Sequence, residues 1–334
     1  MPYSCSAFRI DRKGRQIRSR LENITLDELS PGEVLVRVHY SSANYKDALA
    51  ALGRARVARH FPITGGIDAA GIIIKSTDQH WRTGDRVIVH GMGMSETRDG
   101  GFAGYLRVPA DWVVPLPTGL SLFDAMAIGT AGFTAALAID RMEQNGQTPA
   151  MGPVAVTGAS GGVGGFAVQL LAGRGYEVAA ITGKPESGKR LKKLGASEVI
   201  PRRNICMEDA PLLSGRWGGA VDTLGGDWLA WLVRCTHPWG SVASIGNASG
   251  TAVPANVYPF ILRGVSILGI SSANCPMDRR KRIWQQLGGK WRPPQLALMV
   301  QETVGLEALP AIFERMLAGK AAGRVVIRIA DGDG

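Results

Sequence analysis

The run Val156-Thr157-Gly158-Ala159-Ser160-Gly161-Gly162-Val163-Gly164 carries the strongest chemical signal in the chain. It follows a short apolar segment, Val154-Ala155-Val156-Thr157, and leads into residues 164–175, which read as a helix. A glycine-rich turn between strand and helix suits a dinucleotide pyrophosphate. Read as A-x-G-x-x-G from Ala159, the pattern gives each glycine a task. Gly161 has no side chain, so backbone amides can approach a phosphate. Gly164 lets the helix pack closely on the sheet. The helix N-terminus then offers unpaired N–H groups and the positive end of its dipole.

The next strand end decides which dinucleotide fits. NAD sites usually place Asp or Glu there to hold the ribose 2′-hydroxyl. Here residues 177–181 run into Thr182-Gly183-Lys184, with no carboxylate at the tip. Lys184 can pair with a 2′-phosphate, and Arg202, at the following strand end, can join it. The expected cofactor is NADPH rather than NADH.

Two basic clusters add candidate anion sites. One is Asp278-Arg279-Arg280-Lys281-Arg282-Ile283-Trp284, read as a helix start with Asp278 as N-cap. Arg279 and Arg280 are its candidates for substrate phosphates; the alternative is a solvated helix face. The other holds Arg54, Arg56 and Arg59. The five histidines (39, 60, 80, 90 and 237) lack metal-ligand spacing, and no cysteine pair is spaced CxxC.

These groups need elements to hold them. The first third is β-rich: Glu33–Tyr40 alternates apolar with polar like a half-buried strand, and 71–74 and 86–90 read as further strands. Residues 125–142 read as a buried, alanine-rich helix. Strand 154–157, helix 164–175 and strand 177–181 form a βαβ unit, which implies a parallel sheet. Strands at 220–223, 241–245 and 266–270 follow, then a helix at 309–317 and a last strand at 324–329. The fold class expected is α/β, a doubly wound Rossmann sheet beside a β-rich domain.

Composition sets the outer bounds. The 334 residues hold 38 Lys+Arg against 28 Asp+Glu, a net charge of +10, which favours anionic partners without naming one. No run of about 18 uncharged apolar residues occurs, so no membrane span is expected. Six basic residues in Met1–Arg20 and no apolar core there argue against a signal peptide. A cytoplasmic location is the expectation. Six of the eight tryptophans follow Arg216, where core or subunit-interface packing is the default.

Several motifs, in order along the chain, resemble the medium-chain dehydrogenase/reductase superfamily. They are Ser41-Ser42-Ala43-Asn44-Tyr45-Lys46-Asp47-Ala48-Leu49, Gly65-Gly66-Ile67-Asp68-Ala69-Ala70-Gly71 and Gly100-Gly101-Phe102-Ala103. Ile128-Gly129-Thr130-Ala131-Gly132-Phe133-Thr134-Ala135, the 156–164 turn and Pro259-Phe260-Ile261-Leu262-Arg263 narrow the resemblance to its quinone oxidoreductase-like YhdH/YhfP branch, which includes acrylyl-CoA reductases. The resemblance implies a GroES-like catalytic domain over 1–124, a Rossmann NADP-binding domain over 125–265, a C-terminal return to the catalytic domain over 266–334, and a homodimer.

Zinc-dependent members carry Cys in the Asn44–Asp47 segment and His-Glu where this chain has Ile67-Asp68. Cys and neutral His are ligands that zinc favours, so a metal-free enzyme is expected. An alcohol–aldehyde reaction would lack its Lewis acid. Reduction of an activated C=C bond needs none: hydride adds to the β-carbon, the carbonyl holds charge as an enolate, and the α-carbon takes a proton. By resemblance Tyr45 is the acid or oxygen donor, or only a packing contact. Asn44 is a second donor, and Asp47 holds the loop. The resemblance also implies cofactor contacts from Tyr45, Thr130, Ser160, Gly161, Gly162, Val163 and Gly164, and from Thr182, Gly183, Lys184 and Arg202 toward the adenosine phosphate. Asn247, by its backbone, Ile261 and Ser272 complete that set. The family often has Arg where Lys184 stands, so the fork geometry is lost. The leading expectation is NADPH-dependent reduction of acrylyl-CoA to propionyl-CoA. Alternatives are a quinone or 2-alkenal reductase, or a non-catalytic cofactor-binding protein whose basic surface meets nucleic acid.

Overall fold

The computed structural model describes residues 4–330. The chain divides into two units. One holds the chain up to Thr130, Ala273–Lys290 and the chain from Val300 onward; the other holds Ala131–Ser272 and Trp291–Met299. The divisions fall at 130/131 and 272/273 rather than at 124/125 and 265/266. The nine residues Trp291–Met299 return to the second unit, where Gln295 N–H donates to Gln169 and Arg174 stacks on Trp291.

The second unit is built on six parallel strands. Across the sheet they run Glu198–Pro201, Val178–Thr182, Val154–Val156, Gly219–Asp222, Ser241–Ser244 and Ser266–Gly269. In chain order this is 3-2-1-4-5-6, the doubly wound arrangement whose ligand crevice lies at the carboxyl ends where strand order reverses. The inner strands are apolar on both faces and buried, as a sheet with helices on both sides requires. Helix Gly162–Ala172 packs on the first two strands, and Asp227–Arg234 on the fourth and fifth.

The first unit is mainly β. Its larger sheet runs Val300–Val304, Arg324–Arg328, Val34–Ser42, Asp68–Ser76, Arg86–His90 and Val114–Pro115, with Tyr105–Val108 also paired to Val34–Ser42. Strand Val34–Ser42 was expected to be half-buried. It is buried everywhere except Arg37, because three neighbouring strands pair with it. A second sheet, Gln16–Thr25, Ser4–Lys13 and Ile63–Thr64, includes an N-terminal hairpin that the sequence reading did not identify. Between the sheets, Phe8, Phe102 and Phe313 meet edge-on or tilted at 5.8–6.3 Å. Helix Tyr45–Ala51 buries Ala48, Ala50 and Ala51 in the same core as Leu309, Ile312 and Phe313 of helix Leu309–Leu317. This packing fixes the helix that carries Tyr45.

Helix Leu122–Gln144 is long and apolar enough, by length and composition, to cross a membrane. Its most apolar window is 83% buried within the protein, as in a core helix. It is also broken at Gly129, where φ is +50° and ψ is −161°. In the basic run, Asp278 lies inside the first turn of helix Met277–Gly288, and Pro276, not Asp278, is the N-cap.

Candidate active site

In the second unit the glycine-rich turn sits at the carboxyl end of the first strand. Gly158 has φ +58°, and a Cβ there would lie 2.3 Å from Thr223 Oγ1. Gly164 is needed for packing: a Cβ would lie 2.4 Å from the Gly158 oxygen and 2.7 Å from Ala159 Cα. A Cβ at Gly161 would meet only the Gly158 oxygen, at 3.2 Å, so its outer side is open. Gly161 caps the helix with no side-chain hydrogen bond, which leaves the first-turn amides of Gly162, Val163 and Gly164 for an anion. The turn is clamped from beneath. Thr157 Oγ1 donates to the buried Asp222 at 2.6 Å, and Thr223 Oγ1 donates to the Thr157 carbonyl at 2.9 Å.

Ser160 and Thr182 join this turn to the second strand, with Thr182 Oγ1 donating to Ser160 Oγ at 3.1 Å and accepting from Lys184 N–H at 3.0 Å. Parallel pairing sets Thr182 beside Pro201, so Arg202 comes next to Gly183: a Cβ there would lie 3.7 Å from its Cζ. Lys184 and Arg202 thus follow the ends of two adjacent parallel strands. Burial lowers the proton affinity of Lys184, and the charge of Arg190 adds to this while Glu186 opposes it. Arg190 was missed, because Gly188-Lys189-Arg190-Leu191-Lys192-Lys193 reads as an exposed basic helix. Asn247 lies exposed after the fifth strand, Ile261 is exposed on helix Tyr258–Arg263, and Ser272 is partly buried after the sixth strand.

In the first unit, a network of polar side chains surrounds Asp68. Its carboxylate accepts from Ser42 Oγ at 2.5 Å, Asn44 Nδ2 at 2.8 Å, Thr130 N–H at 3.0 Å and Thr130 Oγ1 at 2.6 Å. Arg324 Nη2 lies 3.6 Å away, and both charged side chains are buried. Arg324 also donates to Asn44 Oδ1 at 3.0 Å and to Ser42 Oγ at 2.6 Å. Asn44 Nδ2 donates to the Ser42 carbonyl as well, at 3.1 Å. Both amide hydrogens of Asn44 are therefore engaged inside the protein. This corrects its expected role: Asn44 positions the start of the helix rather than donating to substrate. Thr130 continues the network, its Oγ1 lying 3.4 Å from His90 Nδ1. Trp284 Nε1 donates to His90 Nε2 at 2.8 Å, and Arg280 Nη1 lies 3.0 Å from Nδ1 and 2.8 Å from Nε2. Burial and the charge of Arg280 hold His90 well below its usual range.

Arg280 is a second correction. It is 0% exposed and donates to the His90 carbonyl at 2.8 Å and the Ala273 carbonyl at 3.0 Å. Both of its terminal nitrogens are thus taken up by carbonyls inside the protein, so it is not offered to substrate phosphates. Its neighbour Arg279 is partly exposed, and Arg54 and Arg56 are exposed on the segment after helix Tyr45–Ala51. Tyr45, the first residue of that helix, is 44% exposed.

Asp47 caps the same helix, accepting from Asn44 N–H at 2.9 Å and Ile67 N–H at 3.0 Å. Burial, with the charge of Asp68 adding to it, pushes its carboxyl up to about 7. The native state thus holds this proton more tightly than the unfolded chain, whose Asp titrates near about 4. The stabilisation is full below that value and is lost as pH rises through about 7. Asp47→Asn is expected to flatten the fall of Tm between about pH 4 and 7. An unchanged slope in the variant would assign the effect to other groups.

Zinc does not fit this cluster. Among the described residues, no three His, Cys, Asp or Glu side chains are placed to hold a metal ion. Asp68 already faces the Arg324 cation and four hydrogen-bond donors. The phosphate-type features of the second unit do fit a dinucleotide: the uncapped helix start, the open side of Gly161 and the gathered cations.

Comparison with known proteins agrees with both halves. Residues 30–118 match the family model described as alcohol dehydrogenase GroES-like domain, and residues 162–287 match that described as zinc-binding dehydrogenase. The chain belongs to the medium-chain dehydrogenase/reductase superfamily. Within it, the chain belongs to the YhdH/YhfP branch. It is 45% identical to YhfP of Bacillus subtilis, provisionally named a quinone oxidoreductase, over 97% of this chain and 98% of that protein. It is 41% identical to the acrylyl-CoA reductase AcuI of Ruegeria pomeroyi, over 96% of this chain and 97% of that protein. The crystal structure of the YhdH oxidoreductase from Salmonella enterica in complex with NADP superposes with a TM-score of 0.93 at 39% identity, covering 97% of this chain and all of that one. YhfP with NAD bound gives the same TM-score at 44% identity, covering 98% and 99%. The protein is an oxidoreductase with a GroES-like and a Rossmann unit.

Proposed function

We propose that the protein uses NADPH to reduce the activated C=C bond of a 2-enoyl thioester, with acrylyl-CoA to propionyl-CoA as the best match. Likeness to AcuI over nearly the whole chain carries the substrate class. The cofactor reading rests on the cations gathered at Gly183, where an NAD site would place a carboxylate. The first-turn amides from Gly162 to Gly164 hold the pyrophosphate, and Lys184 and Arg202 hold the 2′-phosphate. When bound, NADPH supplies hydride to the substrate β-carbon. As electrons move to the thioester oxygen, the Tyr45 hydroxyl donates a hydrogen bond to that oxygen or delivers the proton to the α-carbon. The Asp68–Arg324 network holds Asn44 and so fixes where Tyr45 begins its helix. The exposed Arg54 and Arg56, with the partly exposed Arg279, are the cations proposed to face the CoA phosphates. A panel following NADPH oxidation tests this. The highest kcat/KM is expected for acrylyl-CoA; a higher value for a small quinone or a 2-alkenal would overturn it and favour the alternative that the name of YhfP suggests.

The partner proposed is a second copy of the chain. Strand Ser266–Gly269 is an open edge of the six-stranded sheet, and open edges invite pairing. Trp239 is 74% exposed, Ile261 69% and Leu262 65%, an unusual outlay of large apolar side chains for one unit. Ile261→Glu with Leu262→Lys is expected to convert a dimer to a monomer in sedimentation. A dimer that survives the pair would move the interface elsewhere.

A further inference from the structure

Arg190 stands on the short helix Gly188–Lys193, yet its side chain does not extend into water as an arginine on a basic helix would. It folds back to the glycine-rich turn, where Nη2 donates to the Ser160 carbonyl at 2.7 Å. Its Nη1 is sealed from solvent and has no acceptor. Native proteins rarely leave a buried charged donor unsatisfied, because desolvation is then uncompensated. The environment is also electrically wrong for an empty site, since Lys184 feels the positive charge of Arg190. Arg202 lies over Gly183. Lys184, Arg190 and Arg202 thus stand about the ends of neighbouring strands, with Glu186 opposing Arg190 in the balance of Lys184.

Ser160 is where these groups converge. Its carbonyl takes Arg190, and its hydroxyl takes Thr182 Oγ1, which in turn accepts from Lys184 N–H. We infer that Arg190 couples the 2′-phosphate of NADPH to the glycine-rich turn: Nη1 takes a phosphate oxygen while Nη2 keeps the Ser160 carbonyl. The inference rests on the NADPH reading above. A guanidinium suits this double task because its donors diverge in a rigid fork, whereas an ammonium offers a single point. The phosphate supplies the missing acceptor and offsets the repulsion among the cations. The 2′-phosphate is thereby felt at Ser160, at the mouth of the pyrophosphate turn, and not only at the adenosine end.

The test uses Arg190→Gln, which keeps a polar side chain but removes the charge and the fork of donors. KM is measured for NADPH and NADH, and Kd for 2′,5′-ADP and 5′-AMP as fragments with and without the 2′-phosphate. The variant is expected to raise the NADPH KM and the 2′,5′-ADP Kd by about ten- to a hundredfold, with NADH and 5′-AMP within about twofold. Equal weakening of both pairs would place Arg190 at the pyrophosphate or in the fold and overturn the inference. So would a preference for NADPH left intact. If the unaltered enzyme fails to distinguish 2′,5′-ADP from 5′-AMP, the NADPH reading falls, and this inference with it.

Discussion

Tyr45→Phe is expected to lower kcat on the enoyl substrate by about a hundredfold to ten-thousandfold, the range of a positioned proton donor. The change deletes one hydroxyl and keeps the ring. The side chain is 44% exposed, while the buried side chains of its helix are Ala48, Ala50 and Ala51 together with Asp47. The variant is therefore expected to fold normally, with a Tm close to that of the parent. KM for NADPH is expected to stay within about twofold, because a lost transition-state contact shows in kcat. A kcat unchanged in Tyr45→Phe would reduce Tyr45 to a surface on which the cofactor or substrate packs. The reaction would then draw its proton from solvent.

Asp68→Ala is expected to cost about 3–5 kcal/mol of stability, the scale for removing one partner of a buried ion pair. The loss comes from what remains. Arg324 keeps its charge in a buried site, and Ser42, Asn44 and Thr130 lose their acceptor. Adding Arg324→Met removes the stranded charge. The double variant is thus expected to be more stable than the sum of the single losses allows, by about 0.5–3 kcal/mol. Urea denaturation of the four proteins measures this coupling directly. Strict additivity would mean that the two side chains do not act as a pair.

Much of the second unit was legible in the sequence because its signals are local. A short apolar run, glycines at fixed spacing and a basic strand tip each fall within a few residues. The same locality put Lys184 and Arg202 after neighbouring strands, since parallel strands bring their carboxyl ends to one edge. The first unit was less legible for the opposite reason. Asn44 reads as a donor from its type, and only the folded contacts to Ser42 and Asp68 show its hydrogens engaged. Arg280 reads as surface charge within a basic run, but its burial is decided by His90, 190 residues away in sequence. Signals for the Asp68 network were present, though unused. Asp68 and Arg324 are the charged residues that open two otherwise largely apolar segments, Asp68–Ile74 and Arg324–Val326. A charge in such a setting is rarely buried without a partner. The N-terminal hairpin escaped notice because its strands are long, polar and arginine-rich, and carry little alternation.

The break at Gly129 has a bearing on how this cluster can vary. A Cβ there would lie 2.6 Å from Arg324 Nη2, 2.7 Å from Asp68 Oδ2 and 2.7 Å from Ser42 Oγ. The positive φ already disfavours any other residue. Positions 42, 68, 129 and 324, scattered through the chain, therefore form one unit of inheritance. A side chain at 129 would meet all three at once, so shortening one of them would leave the other two contacts and the backbone strain in place. In a mutagenised library, position 129 is therefore expected to tolerate glycine alone.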